Sequence, residues 1–363
     1  MAPPCPPPDL MADLVGEILL RVPPDDPALL ARASLVCKAW RRLLADPAFG
    51  RRYRAFHRAP PLLGFLHEHY TIGGLGTVPR FVPTVTPSSF PQRALDDCDG
   101  WRILDCRHGR VLFEIPGQSV NLVVWDPATG KRQGLPQPPI PHYWSFTAAV
   151  LCAVRGCDHL HLPCKVRIVR SHLYSSEDDA WNASDDQGPG CYTTRKPSAL
   201  IGDDIYFILA PWDTILRYSL GKNCSSIIPP PEAHDIPEGV ALMPMEDGSL
   251  GFADVLCSRI CLWSWNAGPD VVAGWVRCRD IELQTLTHFR NYVEVVASAE
   301  GFGTIFVSTD DGVFTIELKS GRKWKVGERG EYFAIFPFTS FYTPGIVLAL
   351  YLDQHIAVAS RGD

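Results

Sequence analysis

Two periods divide the chain. Over residues 10–57, LMADLVGEILLRVPPDDPALLARASLVCKAWRRLLADPAFGRRYRAFH, apolar positions recur at helical intervals; from about Trp101 they follow a period of two, in short runs separated by turn residues. In the helical stretch, Asp13 is placed to cap a first helix with Leu14, Ile18 and Leu19 on one stripe, stopped by Pro23-Pro24. Asp26-Pro27 predicts a second start, since a capping carboxylate and a proline without an N–H both suit a first turn. The run that follows carries Leu29, Ala33, Val36, Cys37, Trp40 and Leu44 on helical spacing, with a kink expected near Ser34. Asp46-Pro47 repeats the signal, and a last helix places Phe49, Tyr53 and Phe56 on one side and arginines on the other. These apolar residues are more than so small a unit can bury alone, which points to a partner.

The β-patterned remainder contains a recurring phrase: an apolar strand, a polar turn, then a strand that starts basic or small. Its copies begin at Val123, Leu173, Leu216, Cys261 and Phe314, 43 to 53 residues apart. That is the length of one four-stranded sheet, and sheets with two apolar faces bury both only when arranged around an axis, so the pattern predicts a propeller of five or six blades. Gly109-Arg110-Val111-Leu112-Phe113 and Gly202-Asp203-Asp204-Ile205-Tyr206-Phe207 read as inner hairpins. Trp125, Trp263, Trp265, Trp275 and Trp324 are expected to be buried between blades, whereas Trp144, Trp181 and Trp212 fall at turns and are candidates for target binding. Between Pro60 and Pro91, LLGFLHE reads as a first strand and the rest as an extended crossing; the Gly73–Gly76 run is a turn, lacking the strand, helix and Lys-Ser/Thr pair of a phosphate loop. Near the end, IVLALYL reads as a strand completing the closing blade. The fold class is thus α + β multidomain: a disordered Pro-rich stretch at 1–9, a helical domain at 10–58, a linker with a first strand at 59–90, and an all-β propeller-like domain at 91–363.

Leu10, Leu14, Glu17, Ile18, Leu19, Arg21 and Pro23, followed by Arg32, Ser34, Val36, Cys37, Trp40 and Arg41, reproduce in order a pattern that resembles an F-box. Met11 stands where that family usually has proline. The resemblance implies docking on a Skp-type adaptor, and through it on a cullin-RING ubiquitin ligase, by Leu10, Met11, Leu14, Ile18, Leu19, Pro23, Val36, Cys37 and Trp40. LVVWDPATG, SALIGDDIYFILAP and GVFTIELKSGR resemble phrases of the propeller-like F-box-associated domain of plant F-box proteins, over roughly residues 90 to 340.

Composition narrows the chemistry. The net charge of -6 argues against a general nucleic-acid binder. It is unevenly spread: nine basic against six acidic residues up to Pro60, then 25 against 34 beyond it. No apolar run reaches the length of a membrane span, and the opening lacks the basic and apolar regions of a signal peptide, so no membrane partner is expected and the twelve cysteines read as reduced thiols of a cytoplasmic or nuclear protein. Cys152, Cys157, His159, His161 and Cys164 form the best candidate metal cluster, but their spacing matches no common zinc site and no metal or other cofactor is expected. The carboxylates of Glu177-Asp178-Asp179 and Asp185-Asp186 read as a solvated loop, and Arg51-Arg52-Tyr53-Arg54 as the wet face of a helix. No nucleophile elbow or zincin motif is present, so no catalytic residue is assigned. The expected function is that of a non-catalytic, substrate-recognising subunit of a ubiquitin ligase with an unidentified protein target; the alternative is a sugar- or small-ligand-active propeller enzyme with a helical cap.

Overall fold

The computed structural model describes residues 11–70, 76–84, 90–117, 119–138, 147–152, 166–169, 172–175, 180–183, 192–210, 214–231, 239–256, 259–267, 273–283 and 293–341. The chain falls into two compact units, one of Met1–Leu63, Val85–Pro91 and Thr339–Asp363, the other of Gly64–Thr84 and Gln92–Phe338.

The first unit holds α1 (Ala12–Leu20), α2 (Pro27–Val36), α3 (Lys38–Ala45) and α4 (Pro47–His57). Two of the predicted caps form: the Asp26 and Asp46 carboxylates accept from the Ala28 and Ala48 N–H groups at 3.1 and 2.8 Å. Asp13 does not cap. The helix begins at Ala12, its N-cap is Met11 with no side-chain acceptor, and Asp13 sits in the first turn, where the positive end of the helix dipole favours it. The break expected near Ser34 comes three residues later. Ser34 stays helical, its hydroxyl donating to the Ala31 carbonyl at 2.6 Å, while Cys37 is extended at φ -157°, ending α2 and capping α3 through Sγ.

Val15, Leu19, Leu20, Leu30, Leu44, Phe49 and Tyr53 form this unit's core, with Trp40 packed against it and Phe341 edge-on to Tyr53 at 6.2 Å. The buried Tyr53 hydroxyl donates to the Val22 carbonyl at 2.8 Å, and burial, with Asp25 nearby, pushes its pKa up so that it remains a donor. Phe56 was expected beside Phe49 and Tyr53 but is exposed. The inward stripe continues instead to His57, four residues beyond Tyr53, whose Nε2 lies 2.8 Å from the Leu20 carbonyl.

β1 (Leu62–Tyr70), which enters the second unit at Gly64, and β2 (Thr77–Pro83) are antiparallel from Gly64 opposite Pro83 to Tyr70 opposite Thr77. The stretch that reads as an extended crossing therefore pairs as β2. Gly64 is needed for that pairing, since a Cβ there would collide with the Val82 carbonyl and the Phe81 ring.

Five blades follow. The first is β3 (Arg102–Arg107), β4 (Arg110–Ile115), β5 (Asn121–Trp125) and β6 (Arg132–Gly134); the second is β7 (Thr147–Val150), β8 (Val166–Val169), β9 (His172–Ser175) and β10 (Ala180–Ala183). The third has β11 (Tyr192–Thr193) and β12 (Ala199–Ile201) both paired with β13 (Asp204–Ala210), then β14 (Thr214–Ser219) and β15 (Cys224–Ile228). The fourth is β16 (Val240–Pro244), β17 (Leu250–Leu256), β18 (Arg259–Asn266) and β19 (Gly274–Glu282); the fifth is β20 (Val293–Ala299), β21 (Thr304–Thr309), β22 (Gly312–Glu317) and β23 (Lys323–Gly327). The last strand among the described residues, β24 (Ile335–Thr339), pairs with β1, giving a three-stranded sheet in the order β2-β1-β24. The five recurring phrases of the sequence lie on β5, β9, β14, β18 and β22, the third strand of each blade. Gly109 and Gly202, at φ +70° and +61°, turn the predicted inner hairpins β3–β4 and β12–β13.

Closure explains why these strands read as near-continuous apolar runs. Alternate residues of one strand enter different cores: Ile205, Phe207 and Leu209 of β13 pack with Ala149 and Leu151 of the second blade, while Tyr206 and Ile208 pack with Val240 and Leu242 of the fourth. Trp125 is buried as expected, and Trp263, Trp265 and Trp275 are partly buried between the third and fourth blades. Trp324 is a correction: it is exposed, on β23, the outermost strand of its blade.

A charged hub links the inner strands. Arg107, on β3, donates to Asp105 at 2.6 and 2.5 Å, to the Ser198 hydroxyl at 2.9 Å and to Glu300 at 3.2 and 2.7 Å; Asp105 in turn accepts from the Val150 N–H and Glu300 from the Leu200 N–H, both at 2.8 Å. Four blades meet in this network. Burial lowers the pKa of Arg107, but Asp105 and Glu300 outweigh it and raise it above the ordinary value. At Asp105 the balance runs the other way, burial outweighing Arg107. Because a guanidinium does not lose its proton in a protein, the hub is an ionic one.

His67, on β1, is buried with its ring 4.7 Å from that of Tyr332, and burial lowers its pKa to about 4. Below the unfolded value of about 6.5 the unfolded chain takes up a proton that the folded chain refuses. Stability is therefore expected to fall as pH drops from about 6.5 to about 4, by roughly 3 kcal/mol in all. Burial raises Glu68, Glu114 and Asp105, whose effect has the opposite sign, so the measurement is urea unfolding of the wild type and His67→Gln at several pH values. Equal pH slopes in the two proteins would refute the assignment.

Candidate functional site

The helical unit is apolar on more than one side. In α1, Val15, Leu19 and Leu20 face the unit's core while Leu14 and Ile18 are exposed, as is Met11 before them, at 75%. Met11, Leu14 and Ile18 stand at i, i+3 and i+7, a second stripe beside the buried one. In α2, Leu30 is buried, whereas Leu29, Leu35 and Val36 are exposed, Val36 at 65%. Among the described residues a buried core lies beneath these six side chains, and they form a surface that costs free energy in water until something covers it.

The nine residues expected on this surface divide. Met11, Leu14, Ile18, Pro23, Val36 and Cys37 are exposed, and Trp40 is half-buried against the core. Leu19 is a correction: at 3% exposure it belongs to the unit's own core, because it lies one residue, about 100° of helix, from Ile18. Leu10 lies outside the described residues. Leu35 was missed. Its signal is that PALLARASLV is apolar almost all round, which one buried face cannot explain. Around this surface the charges are wet: Glu17 accepts from Arg52 at 2.6 Å and pairs with Arg21 at 3.3 Å, both exposed pairs of little energetic weight. Arg51 and Arg52 are exposed and Tyr53 buried, as the solvated-helix reading requires.

In the propeller unit, a cleft of about 300 Å3 is lined by Glu68, Arg102, Glu114 and Arg195 among others. Arg102 pairs with Glu114 at 2.5 Å; Arg195 lies 3.6 Å from Glu68 and donates to the Tyr70 hydroxyl at 2.9 Å. A second hollow, of about 450 Å3, is lined by Asp310, Arg329, Glu331, Tyr332 and Phe333. Of the three tryptophans assigned to target binding, only Trp181 falls among the described residues. Trp144 and Trp212 lie outside the described residues, and Trp181, expected at a turn, is in strand β10, opposite Tyr174 of β9. Among the described residues no group of His, Cys, Asp and Glu is arranged to hold a metal ion; Cys157, His159, His161 and Cys164 lie outside them, as do the two acidic clusters. No disulfide joins the described cysteines.

Residues 8–52 match the family model of the F-box domain, and residues 102–345 match that described as F-box protein AT5G49610-like, beta-propeller. A comparison with curated proteins finds no match. Among solved structures, the chain is similar to one in the crystal structure of a nidogen/laminin complex, at 11% identity and a TM-score of 0.46, covering 77% of this chain and 98% of that one. It is similar also to a protein from Lactobacillus plantarum, at 13% and 0.43, covering 74% and 82%, and to the calcium-binding protein regucalcin from Agrobacterium tumefaciens, at 14% and 0.40, covering 68% and 79%. Likenesses this distant carry no argument about what the chain does.

Proposed function

Because the chain belongs to the family of AT5G49610-like F-box proteins with a β-propeller, we propose that it is the substrate-recognition subunit of a Skp–cullin–F-box ubiquitin ligase. An F-box joined to a propeller has the organisation of a substrate receptor, one end for the ligase and one for the target. The observation that carries the reading is the exposure of Met11, Leu14, Ile18, Leu29, Leu35 and Val36 above a buried core of described residues. A Skp-type adaptor covers this surface, with Pro23, Cys37 and Trp40 at or beside it. Met11, in the place of the family's proline, fills its part of the contact with a flexible thioether.

The chain supplies no bond chemistry of its own in this scheme. Its contribution is proximity: a target held by the propeller meets the charged ubiquitin-conjugating enzyme at a high effective concentration of acceptor lysines. The complex works in the cytoplasm or nucleus.

The test is reconstitution. The full chain mixed with a Skp-type adaptor and a cullin-RING core is expected to co-elute with them as one complex of equal stoichiometry. Elution of the chain alone, at micromolar concentrations of both partners, would end the proposal.

A further inference from the structure

We propose that the cleft of Arg102 and Arg195, with the aromatic rim formed by Tyr70 and Phe333, is the target-recognition surface, and that it takes an extended peptide segment in which an acidic side chain adjoins an apolar one. This rests on the substrate-receptor reading and names the chemistry of the target.

Three ion pairs lie in or beside this cleft. Arg102 is 26% exposed and its partner Glu114 22%; Arg195 is 54% exposed and Glu68 13%; Lys196 is 13% exposed and Glu294, 4.0 Å away, 7%. The difference is wide only at Arg195 and Glu68, where the carboxylate is largely covered and the cation is not. The formal charges cancel, but at the Arg195–Glu68 pair a group arriving from solvent meets guanidinium first. The carboxylates are also engaged behind: Glu68 accepts from the Ile103 N–H at 2.8 Å, and burial pushes both Glu68 and Glu114 up from the ordinary carboxyl range. They are fixed parts of the wall, whereas Arg195 presents its outer edge to water. A carboxylate is the complement of such an edge, because charge-assisted N–H···O bonds to a planar guanidinium are both strong and directional.

The apolar half of the motif comes from Tyr70 and Phe333. Both are exposed, and their rings meet edge-on at 5.5 Å, so neither is a core residue displaced from a core. Tyr70 is held by its hydrogen bond from Arg195, and Phe333 also lines the second hollow, so cation, aromatic pair and hollow form a continuous track. Rigid, exposed aromatics beside an arginine are the residue types that anchor peptide and protein partners. Asp310 and Glu331 outnumber Arg329 in the second hollow, so a second acid is disfavoured there, which sets the direction of the segment.

The test uses the immobilised full chain and a random twelve-residue peptide library, sequenced before and after selection. Peptides with Asp or Glu adjoining Leu, Phe, Tyr or Trp are expected to be enriched at least tenfold. For a selected peptide, Arg195→Glu and Phe333→Ser should each weaken binding by about tenfold or more, as loss of a charge-assisted contact or an anchor ring does, and Arg195→Lys should weaken it less. Enrichment of basic peptides, absence of any enrichment, or binding untouched by these variants would overturn the inference. Adaptor capture is measured on the same preparations. If peptides are selected but no adaptor is captured, the ligase reading fails and the cleft stands; if the adaptor is captured and no peptide is selected, the cleft alone fails.

Discussion

Ile18→Asp is expected to abolish capture of the Skp-type adaptor while the propeller stays folded. Ile18 is half-exposed on α1 and belongs to the outer stripe, so the free chain tolerates a carboxylate there at little cost. In a complex the same position is desolvated. The substitution then loses roughly 1.5–3 kcal/mol of apolar burial and adds the cost of burying an unpaired charge, together enough to lower affinity by two to three orders of magnitude or more. Calorimetric titration of the adaptor checks this, with circular dichroism as the control for folding. Leu19→Ala is the necessary companion. Its side chain lies in the helical unit's core, so the expected result is destabilisation of that unit by about 2–5 kcal/mol, with weakened capture as a consequence of unfolding. If Ile18→Asp left adaptor affinity within twofold of the wild type, the docking surface would have to lie elsewhere on the chain.

The second large effect is expected at Arg107. Arg107→Leu removes one cation from a buried network in which Asp105 and Glu300 both depend on it, and leaves Asp105, buried to about 1% exposure, without its counter-charge. Breaking a buried pair from one side costs about 3–5 kcal/mol, far more than such a pair contributes against a well-packed apolar substitute. Because the network joins the first, second, third and fifth blades, the loss should lower the urea midpoint of the whole propeller and not of one blade. The double variant Asp105→Leu/Arg107→Leu removes both charges and should recover part of the loss. A double variant no more stable than Arg107→Leu would show that the hub acts through hydrogen bonds to Ser198 and Val150 and not through charge.

Local signals were legible where the cause is local. Asp26-Pro27 and Asp46-Pro47 start helices because a carboxylate two residues before a free N–H, with proline in the first position, needs no tertiary help. The recurring phrase marked the third strand of each of five blades because strand, turn and strand are neighbours in sequence. Asp13 failed as a cap for an equally local reason: the helix had already begun at Ala12.

What the amino-acid order determined by itself was thus the period of each region, the starts of two helices, the spacing of the blades and a helical unit with surplus apolar residues. Which residues form that surplus was decided only by the tertiary structure. Ile18 and Leu19 are equally apolar neighbours, and a helical period gives each a direction but not which direction the other helices cover. The same holds for Trp324, on the outer edge of its blade, against Trp125, buried within another. The hub and the cleft were beyond any local pattern, since Arg107 finds Ser198 and Glu300 91 and 193 residues away, and Arg195 finds Tyr70 125 residues away. Closing a ring of sheets brings distant strand ends to one axis, and only there do charges unremarkable in sequence become partners.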